Sequence, residues 1–360
     1  MSIEMVEEEA FNSGTMIKVI GVGGGGGNAV EHMINTHVQG VEFICANTDA
    51  QALRRSAAHK VIQLGQSGLG AGSRPERGRD AAMAAEEDIR AALEGAHMLF
   101  ITAGMGGGTG TGATPFVSHL AKEMGALVVG VVTTPFNFEG AHRRGDAISG
   151  VRRIRPYMDN LIVIHNDRLL RYVNHDAEML EAFRTADEVV TQGILSVSEL
   201  INVPGEINVD FADVRTIMDY PGGALMAIGS GNGKMGPVEA ARQAISNPLL
   251  NMSIADAKGI LFSVKGGHDV TLGGCNAAGQ LIRKQVDSKA PIFFGMTVDY
   301  SMEQSVQITL IATGLKEETW FRSMTDIGGI TDSVRKMIPI PGIHIGKDKS
   351  LAFTPAALKR

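Results

Sequence analysis

Short apolar runs alternate with longer segments of helical periodicity along the first half of the chain. Apolar runs of this length are typical of buried strands, and the periodic segments are typical of helices. The predicted strands are 17–22, 41–47, 61–64, 98–103, 127–132 and 160–164. The predicted helices include 76–94, 113–124 and 141–157. This alternation predicts an α/β fold with a Rossmann-like parallel sheet.

The second half of the chain has a different pattern. The longest helical segment, 178–203, is predicted to be a central helix. In the segment that follows it, no glycine-rich loop leads from a long parallel strand into a helix. We therefore expect a smaller mixed α/β domain at 204–315, after a first domain at 16–177. A tail at 1–15 and a short linker with a C-terminal peptide at 316–360 complete the predicted organisation.

Three glycine-rich loops follow predicted strands, at 23–27, 65–72 and 104–112. A strand, glycine loop and helix in succession are typical of a phosphate-binding site, because backbone N–H groups and the helix N-terminus attract an anion. The loop at 104–112 contains no lysine, so backbone amides and a metal ion would have to neutralise the phosphates. The three loops lie at the ends of parallel strands, where one triphosphate would fit.

The first glycine loop also permits another interpretation. Gly21, Gly23 and Gly26 satisfy the pattern G-x-G-x-x-G, and Asp49 follows at the distance of a ribose-binding acid. This motif alone would indicate a nicotinamide-dependent oxidoreductase. A tight turn without a ligand is a further alternative.

Composition and charge narrow the class of protein. The 360 residues are 44% hydrophobic and 20% charged, with a net charge of −6 and no polybasic run, so neither nucleic acid nor an anionic membrane surface is an expected partner. No apolar run approaches the roughly 20 residues of a spanning helix, and the acidic start is unlike a signal peptide. We expect a cytoplasmic protein in which Cys45 and Cys275 are buried free thiols.

Two acids, Asp210 and Asp213, stand three residues apart after the central helix. Asp213 could be a helix cap or a first-turn charge on the short helix that begins near Ala212. The basic residues at 142–155 are expected on a solvated helix face, with Arg143 as a candidate for binding.

Three motifs, taken together, resemble one family. The loop at 104–112 is similar to the tubulin/FtsZ signature loop, 22–30 is similar to the family's first loop, and 208–218 is similar to its acidic synergy loop and following helix. The resemblance covers about residues 15 to 315. The chain thus resembles FtsZ, the bacterial tubulin-like GTPase that polymerises into the division ring. The oxidoreductase interpretation predicts neither the glycine loop at 104–112 nor the acidic loop, and it is disfavoured.

The resemblance implies a site for GTP or GDP in the first domain. Glu139 and Arg143 would contact the ribose and phosphate side of the nucleotide. Asn166 and Asp187 would bind guanine, and Phe183 would stack on the base; a carboxylate accepts from the N1–H and N2 amine that adenine lacks. The phosphates would be held by Gly24, Gly25, Gly26, Gly27, Asn28, Gly72, Gly107, Gly108, Gly110 and Thr109, the last also through its hydroxyl.

The resemblance further implies that catalysis requires assembly. The synergy loop of this family lies at the opposite end of the subunit from the nucleotide, so its acids reach GTP only in the next copy of a head-to-tail filament. Asp210 and Asp213 would orient and polarise the attacking water, Asn208 would help to hold the junction, and Mg²⁺ would offset the triphosphate charge. No protein ligand for the metal is predicted. The alternative is a filament scaffold that binds GTP with little hydrolysis.

Some segments depart from the family pattern. The loop at 65–72 is a few residues shorter than in familiar members, and 272–275 lacks acids that the family often has. The peptide 353–360 partly resembles the family's C-terminal peptide, with Ala357 in place of an aromatic residue. The resemblance implies a membrane-tether protein as a partner for this peptide, self-association, no direct membrane insertion, and a location at the division site.

Overall fold

A sheet of ten strands runs through the described part of the chain. The computed structural model describes residues 14–169, 179–202, 205–247, 250, 253–302, 304–317 and 319–320. The strands are β1 (Ile17–Val22), β2 (Val41–Asn47), β3 (Lys60–Gln63), β4 (Met98–Gly104), β5 (Leu127–Thr134), β6 (Asn160–His165), β7 (Gly223–Asn232), β8 (Gly259–Gly266), β9 (Ile292–Val298) and β10 (Ser305–Leu315). Their order across the sheet is β3-β2-β1-β4-β5-β6-β7-β10-β8-β9.

The first six strands are all parallel and follow the order of a Rossmann-type sheet. Every residue of β1 and β6 is buried. Burial on both faces explains why these strands appear in the sequence as continuous apolar runs and not as alternating patterns. The predicted fold class is confirmed for this part of the chain.

Helices connect the strands and cover the sheet. They are α1 (Gly23–Asn35), α2 (Ala50–Leu53), α3 (Pro75–Ala84), α4 (Glu86–Leu93), α5 (Thr109–Glu123), α6 (Ala141–Ile154), α7 (Asn166–Leu169), α8 (Met179–Asn202), α9 (Phe211–Met218), α10 (Gly236–Ile245) and α11 (Leu272–Arg283). The single helix predicted at 76–94 is wrong, because the chain breaks at Ala85 and restarts in a turn that contains Glu86, Glu87 and Asp88. Acidic side chains stabilise the N-terminus of a helix, so these three acids favour the start of a new helix here.

The second part of the sheet is mixed. Strand β7 joins β6 through the pair Ile162 and Ala224, and it then pairs antiparallel with β10. Strand β10 pairs antiparallel with β8, and β8 pairs parallel with β9. Trp320 is buried against Gly223 and donates from its indole Nε1 to the Ala224 carbonyl at 3.1 Å. The described chain therefore packs on this sheet beyond the predicted boundary at residue 315.

Helix α8 contacts α1 and β5 as well as β8, β9 and β10, so it lies between the two parts of the sheet. Its buried apolar residues include Val190, Ile194 and Val197. Cys45 and Cys275 are buried and free, as expected. Among the described residues, no helix has the length and apolar character needed to cross a membrane. The predicted tail up to residue 13 and most of the predicted segment 316–360 lie outside the described residues.

Candidate nucleotide-binding site

Two helix N-termini lie side by side at one edge of the sheet. Strands β1 and β4 are parallel neighbours, α1 follows β1 directly, and α5 follows β4 after a four-residue turn. The N-cap positions, Val22 and Gly108, provide no side-chain hydrogen bond to either first turn. Free N–H groups and two aligned helix dipoles at one place favour the binding of an anion.

Glycine is required here mainly for close backbone approach. A Cβ on Gly26 would lie 2.3 Å from the Thr102 carbonyl oxygen, and one on Gly23 would lie 2.8 Å from the Gly110 nitrogen. In the loops at 23–27 and 104–112, only Gly23 and Gly106 have a positive φ, of 75° and 98°. Helix α5 begins at Thr109, four residues before its predicted start, because the last four residues of the loop at 104–112 are helical.

Other glycines in the loops face open space. A Cβ on Gly24 or Gly107 would have no atom within 4 Å, and Asn28 is exposed beside the first loop. Gly72 in the loop at 65–72 has φ of 58°, and a Cβ there would approach only the Arg77 guanidinium, at 3.7 Å. The three glycine loops, 23–27, 65–72 and 104–112, form what we call the glycine cradle. These open positions leave its surface accessible to a ligand.

The loop at 65–72 packs against the loop at 104–112 and against the residue that follows β2. The Gly70 amide donates to the Thr48 carbonyl at 3.0 Å, and a Cβ on Gly108 would lie 2.8 Å from the Cβ of Ala71. The hydroxyls of Thr48 and Thr109 are 2.6 Å apart and hydrogen-bonded. Sequence reasoning missed Thr48, which directly follows β2 at this edge. Its place directly after a strand that enters the same edge was the available signal.

Polar groups without partners lie beyond β5 and β6. Asn166, which follows β6, is 6% exposed, and its Oδ1 has no hydrogen-bond partner among the described residues. Burial raises the pKa of Asp187 on α8 to about 7, and no described residue pairs with its carboxylate. Helix α7 contacts α8, which brings the two elements together. Unpaired polar groups in buried places are costly unless a ligand satisfies them.

Phe183 lies one turn before Asp187 on α8. Its ring is 37% exposed and packs edge-on against Phe136 at a centroid distance of 5.2 Å. Phe138, which is 60% exposed, stacks on the same Phe136 ring at 5.1 Å. An aromatic surface is therefore available near the unpaired polar groups, and a base could stack on it.

Glu139 and Arg143 form an ion pair with each other. The Glu139 carboxylate also accepts from the Phe136 amide at 2.9 Å, which fixes its position after β5. Sequence reasoning missed the role of Asp167, which accepts from the Asn137 amide at 2.7 Å and pairs with Arg144 at 3.7 Å. Asp167 thereby ties the turn that carries Glu139 to the end of β6.

His165 lies under this region at the end of β6. Its Nδ1 shares a hydrogen bond with the Thr134 hydroxyl at 3.0 Å, and its Nε2 has no partner among the described residues. Burial, with repulsion from Arg168, lowers the pKa of His165 to about 3. The imidazole is therefore neutral at physiological pH.

The acidic loop has its own local order. Asp210 is the N-cap of α9, and its Oδ1 accepts from the Asp213 amide at 2.8 Å. The Asn208 Oδ1 accepts from the Gly205 amide, also at 2.8 Å. The capping role considered for Asp213 is wrong, because Asp210 occupies that position; Asp213 is a first-turn acid whose carboxylate has no partner among the described residues.

The acidic loop lies near the amino end of strand β4, and the glycine cradle lies at the carboxyl ends of β1 and β4. The Phe211 ring, next to Asp210, contacts the His97 ring at 6.5 Å, immediately before β4 begins. Phe211 and Arg215 also line a cleft of about 290 Å³ with His97 at this edge. Since the seven residues of β4 span roughly 20 Å, Asp210 and Asp213 do not meet the cradle within one chain.

Asp49, the ribose acid of the oxidoreductase interpretation, caps a helix. Its carboxylate accepts from the amides of Gln51 at 2.8 Å and Ala52 at 3.4 Å at the start of α2. Among the described residues, no three or more His, Cys, Asp or Glu side chains form a group that could hold a metal ion.

The fold and the cradle define an α/β nucleotide-binding protein of the tubulin type. Residues 16–174 match the family model for the Tubulin/FtsZ family, GTPase domain, and residues 222–316 match the FtsZ family, C-terminal domain. The chain belongs to the Tubulin/FtsZ family, whose members are GTPases. The predicted family resemblance is confirmed.

Solved structures agree with this assignment. An empty FtsZ dimer from M. jannaschii is 38% identical, with a TM-score of 0.81, and the match covers 85% of this chain and 90% of that chain. CetZ2 from Haloferax volcanii, a GTPγS-bound protofilament, is 20% identical with a TM-score of 0.73, covering 89% of this chain and 99% of that chain. CetZ1 from the same organism, a GDP-bound monomer, is 18% identical with a TM-score of 0.74, covering 86% and 98%. The two CetZ structures support the fold alone.

Proposed function

We propose that this protein binds GTP, polymerises head to tail, and hydrolyses GTP at the junction between subunits. The observation that carries the proposal is that the length of strand β4 separates the glycine cradle from Asp210 and Asp213. The two halves of such a site lie on opposite faces of the folded subunit. The site is completed when the face of one copy that carries the acidic loop meets the face of the next copy that carries the cradle. Such heterologous contacts generate filaments when they do not close.

The residues at the cradle fit a guanine nucleotide. The uncapped N-termini of α1 and α5 would bind the phosphates through backbone N–H groups. The unpaired Asn166 and Asp187 would bind guanine, and Phe183 would stack on it. Glu139 and Arg143 would lie toward the ribose and phosphates.

Hydrolysis depends on the acids of the neighbouring copy. Asp210 and Asp213 would orient the attacking water toward the γ-phosphate, and Asn208 would keep the loop folded at the junction. The cap bond leaves the Asp213 carboxylate free for this role. When bound, Mg²⁺ would neutralise charge on the triphosphate, with phosphate oxygens and water as its usual ligands.

Family membership also supports a place of action. We infer that the filaments act in the cytoplasm at the division site, as in FtsZ. The dimer described for the M. jannaschii protein is consistent with self-association. The peptide 353–360, which lies outside the described residues, is proposed as the contact for a membrane-tether protein.

Turnover of GTP as a function of protein concentration tests the proposal. The rate per chain should rise through an assembly threshold, and the chain should sediment as filaments with GTP but not with GDP or NAD. A rate per chain that stays flat on dilution would exclude the shared site. Filaments that form with GTP but release almost no phosphate would favour the scaffold alternative.

A further inference from the structure

Asn202, the last residue of α8, ties the end of this helix to the first part of the sheet. Its Nδ2 donates to the Gly40 carbonyl at 2.7 Å and to the Thr15 carbonyl at 3.1 Å. One amide group thus uses both N–H donors on two segments that are 162 and 187 residues away in the chain. The bonds join α8 to the turn before β2 and to the segment before β1.

The approach of the chain at Gly40 is close. Gly40 has φ of 76°, and a Cβ there would lie 3.1 Å from the Cβ of Asn202. A side chain at position 40 would therefore be strained and would also press on Asn202. The glycine permits the turn to reach the Asn202 amide.

The segment at 14–16 is linked to the acidic loop through His97. The Met16 carbonyl accepts from the backbone amides of His97 and Met98 at 3.0 and 3.3 Å, and the Met16 amide donates to His97 Nδ1 at 2.9 Å. The His97 ring in turn contacts Phe211, which follows Asp210. Asn202 and His97 thus bond to adjacent residues of the same short segment, Thr15 and Met16.

The loop is also attached to the second part of the sheet. Ile207 and Met296 form an antiparallel bridge, with the Met296 amide donating to the Ile207 carbonyl at 2.9 Å, and Val209 is buried in the core. These bonds fix the loop to β9, and the Val209 amide also donates to the Leu200 carbonyl of α8 at 3.4 Å. The Asn202 contacts add bonds from the last residue of α8 to the segments before β1 and β2.

We propose that Asn202 is a positioning residue for the acidic loop. Its amide holds the end of α8 against Thr15 and Gly40, so that Asp210 and Asp213 are presented to the neighbouring GTP in one fixed place. The inference rests on the proposed function, because it assigns to Asn202 an effect on hydrolysis at the junction. Binding of GTP within the same chain does not involve Asn202.

Three variants and one control test this role. Asn202→Ala removes the two bonds, Asn202→Asp keeps the volume but puts acceptors against two carbonyls, and Gly40→Ala displaces the turn. Asn247→Ala is the matched control, since the Asn247 amide donates to the Ile228 carbonyl at 2.6 Å within the second part of the sheet. Three quantities are measured on each full chain: affinity for a fluorescent GTP analogue below the assembly threshold, mass of polymer with a slowly hydrolysed analogue, and phosphate release per polymerised chain.

The three test variants should bind the analogue within about twofold of wild type and should still sediment. Their phosphate release per polymerised chain should fall about tenfold or more, because small misplacements of a catalytic group are costly, and Asn202→Asp should be at least as slow as Asn202→Ala. The control should hydrolyse at the wild-type rate. Equal rates for Asn202→Asp and wild type would overturn the inference while leaving the proposed function intact. A wild-type chain whose turnover does not depend on assembly would instead overturn the proposed function.

Discussion

The carboxylates of Asp187 and Asp213 have no partners among the described residues, and the two differ in their surroundings. Asp187 is largely buried, and burial raises its pKa to about 7. Asp213 lies on the first turn of α9, partly exposed, with Asp210 as the cap before it. The first carboxylate is suited to a ligand of the same chain, and the second is suited to a partner that approaches from outside.

The ionisation of Asp187 should control GTP affinity between pH 6 and 8. The guanine N1–H and N2 amine require an ionised acceptor, and below a pKa near 7 the acid is mostly protonated. Affinity should therefore fall about tenfold from pH 8 to pH 6. Equilibrium binding should show this trend in wild type and in the Glu188→Gln control. In Asp187→Asn the trend should vanish, with binding at pH 8 weaker by about 10- to 100-fold; an unchanged pH profile in that variant would remove Asp187 from the guanine site.

Replacement of the two loop acids should separate stability from turnover. Asp210→Ala removes the cap of α9 and should lower the free energy of unfolding by about 1 kcal/mol, whereas Asp213→Ala should cost only a few tenths of that. Both should retain GTP binding and lose most hydrolysis. Asp210→Ser, which can still cap, should recover stability but not turnover, as measured by urea unfolding and phosphate release. Full activity of Asp210→Ser would limit Asp210 to a structural role.

At the scale of helices and strands, the sequence predicted most elements because their apolar runs are long and buried on both faces. It did not predict the start of α5 at Thr109, since glycines normally argue against a helix. Here tertiary packing overrides that preference: a Cβ on Gly112 would lie 1.8 Å from the Pro75 carbonyl oxygen. The break at Ala85 was also missed, although the acids that follow it favour a helix N-terminus.

Two glycine replacements should therefore have opposite consequences. Gly112→Ala would force α5 away from α3 and should destabilise the fold by more than about 4 kcal/mol or prevent folding. Gly24→Ala meets no atom within 4 Å, so it should fold normally but bind GTP more weakly, because its methyl group projects into the open cradle. Circular dichroism and nucleotide binding would distinguish them. A well-folded Gly112→Ala chain would contradict the packing described for α3 and α5.

At the scale of the whole molecule, sequence reasoning brought the three glycine loops to one edge because parallel strands end together. It could not assign the cap to Asp210, identify Thr48 beside Thr109, or identify Asn202 as a contact to residues far away in the chain. These depend on side-chain directions and on segments more than 60 residues apart. The position of the acidic loop at the opposite edge came from the family resemblance, and residue spacing alone did not contain it.

The stability of the nucleotide-free chain should contain two opposing dependences on pH. His165 has its pKa lowered to about 3, so below about pH 6.5 the unfolded chain takes up the proton first, and stability falls by about 2 kcal/mol by pH 5. Asp187 has a raised pKa, so below pH 7 the folded chain takes up the proton first and stability rises. Urea unfolding from pH 8 to 5 should therefore change little in wild type. The free energy should rise in His165→Asn and fall in Asp187→Asn as pH decreases; parallel curves for all three proteins would contradict these assignments.

The uncapped N-termini of α1 and α5 have a consequence for the life of the chain. Backbone groups of the kind that side chains cap in α2, α9 and α11 are left here to a ligand, so ligand binding contributes directly to the folding equilibrium. A ligand at 100 times its dissociation constant would add about 2.7 kcal/mol, which a melting temperature measured across nucleotide concentrations would detect. In a starved cell, a fall in the guanine nucleotide supply would then expose the chain to proteolysis, and its abundance would follow the energy state of the cell.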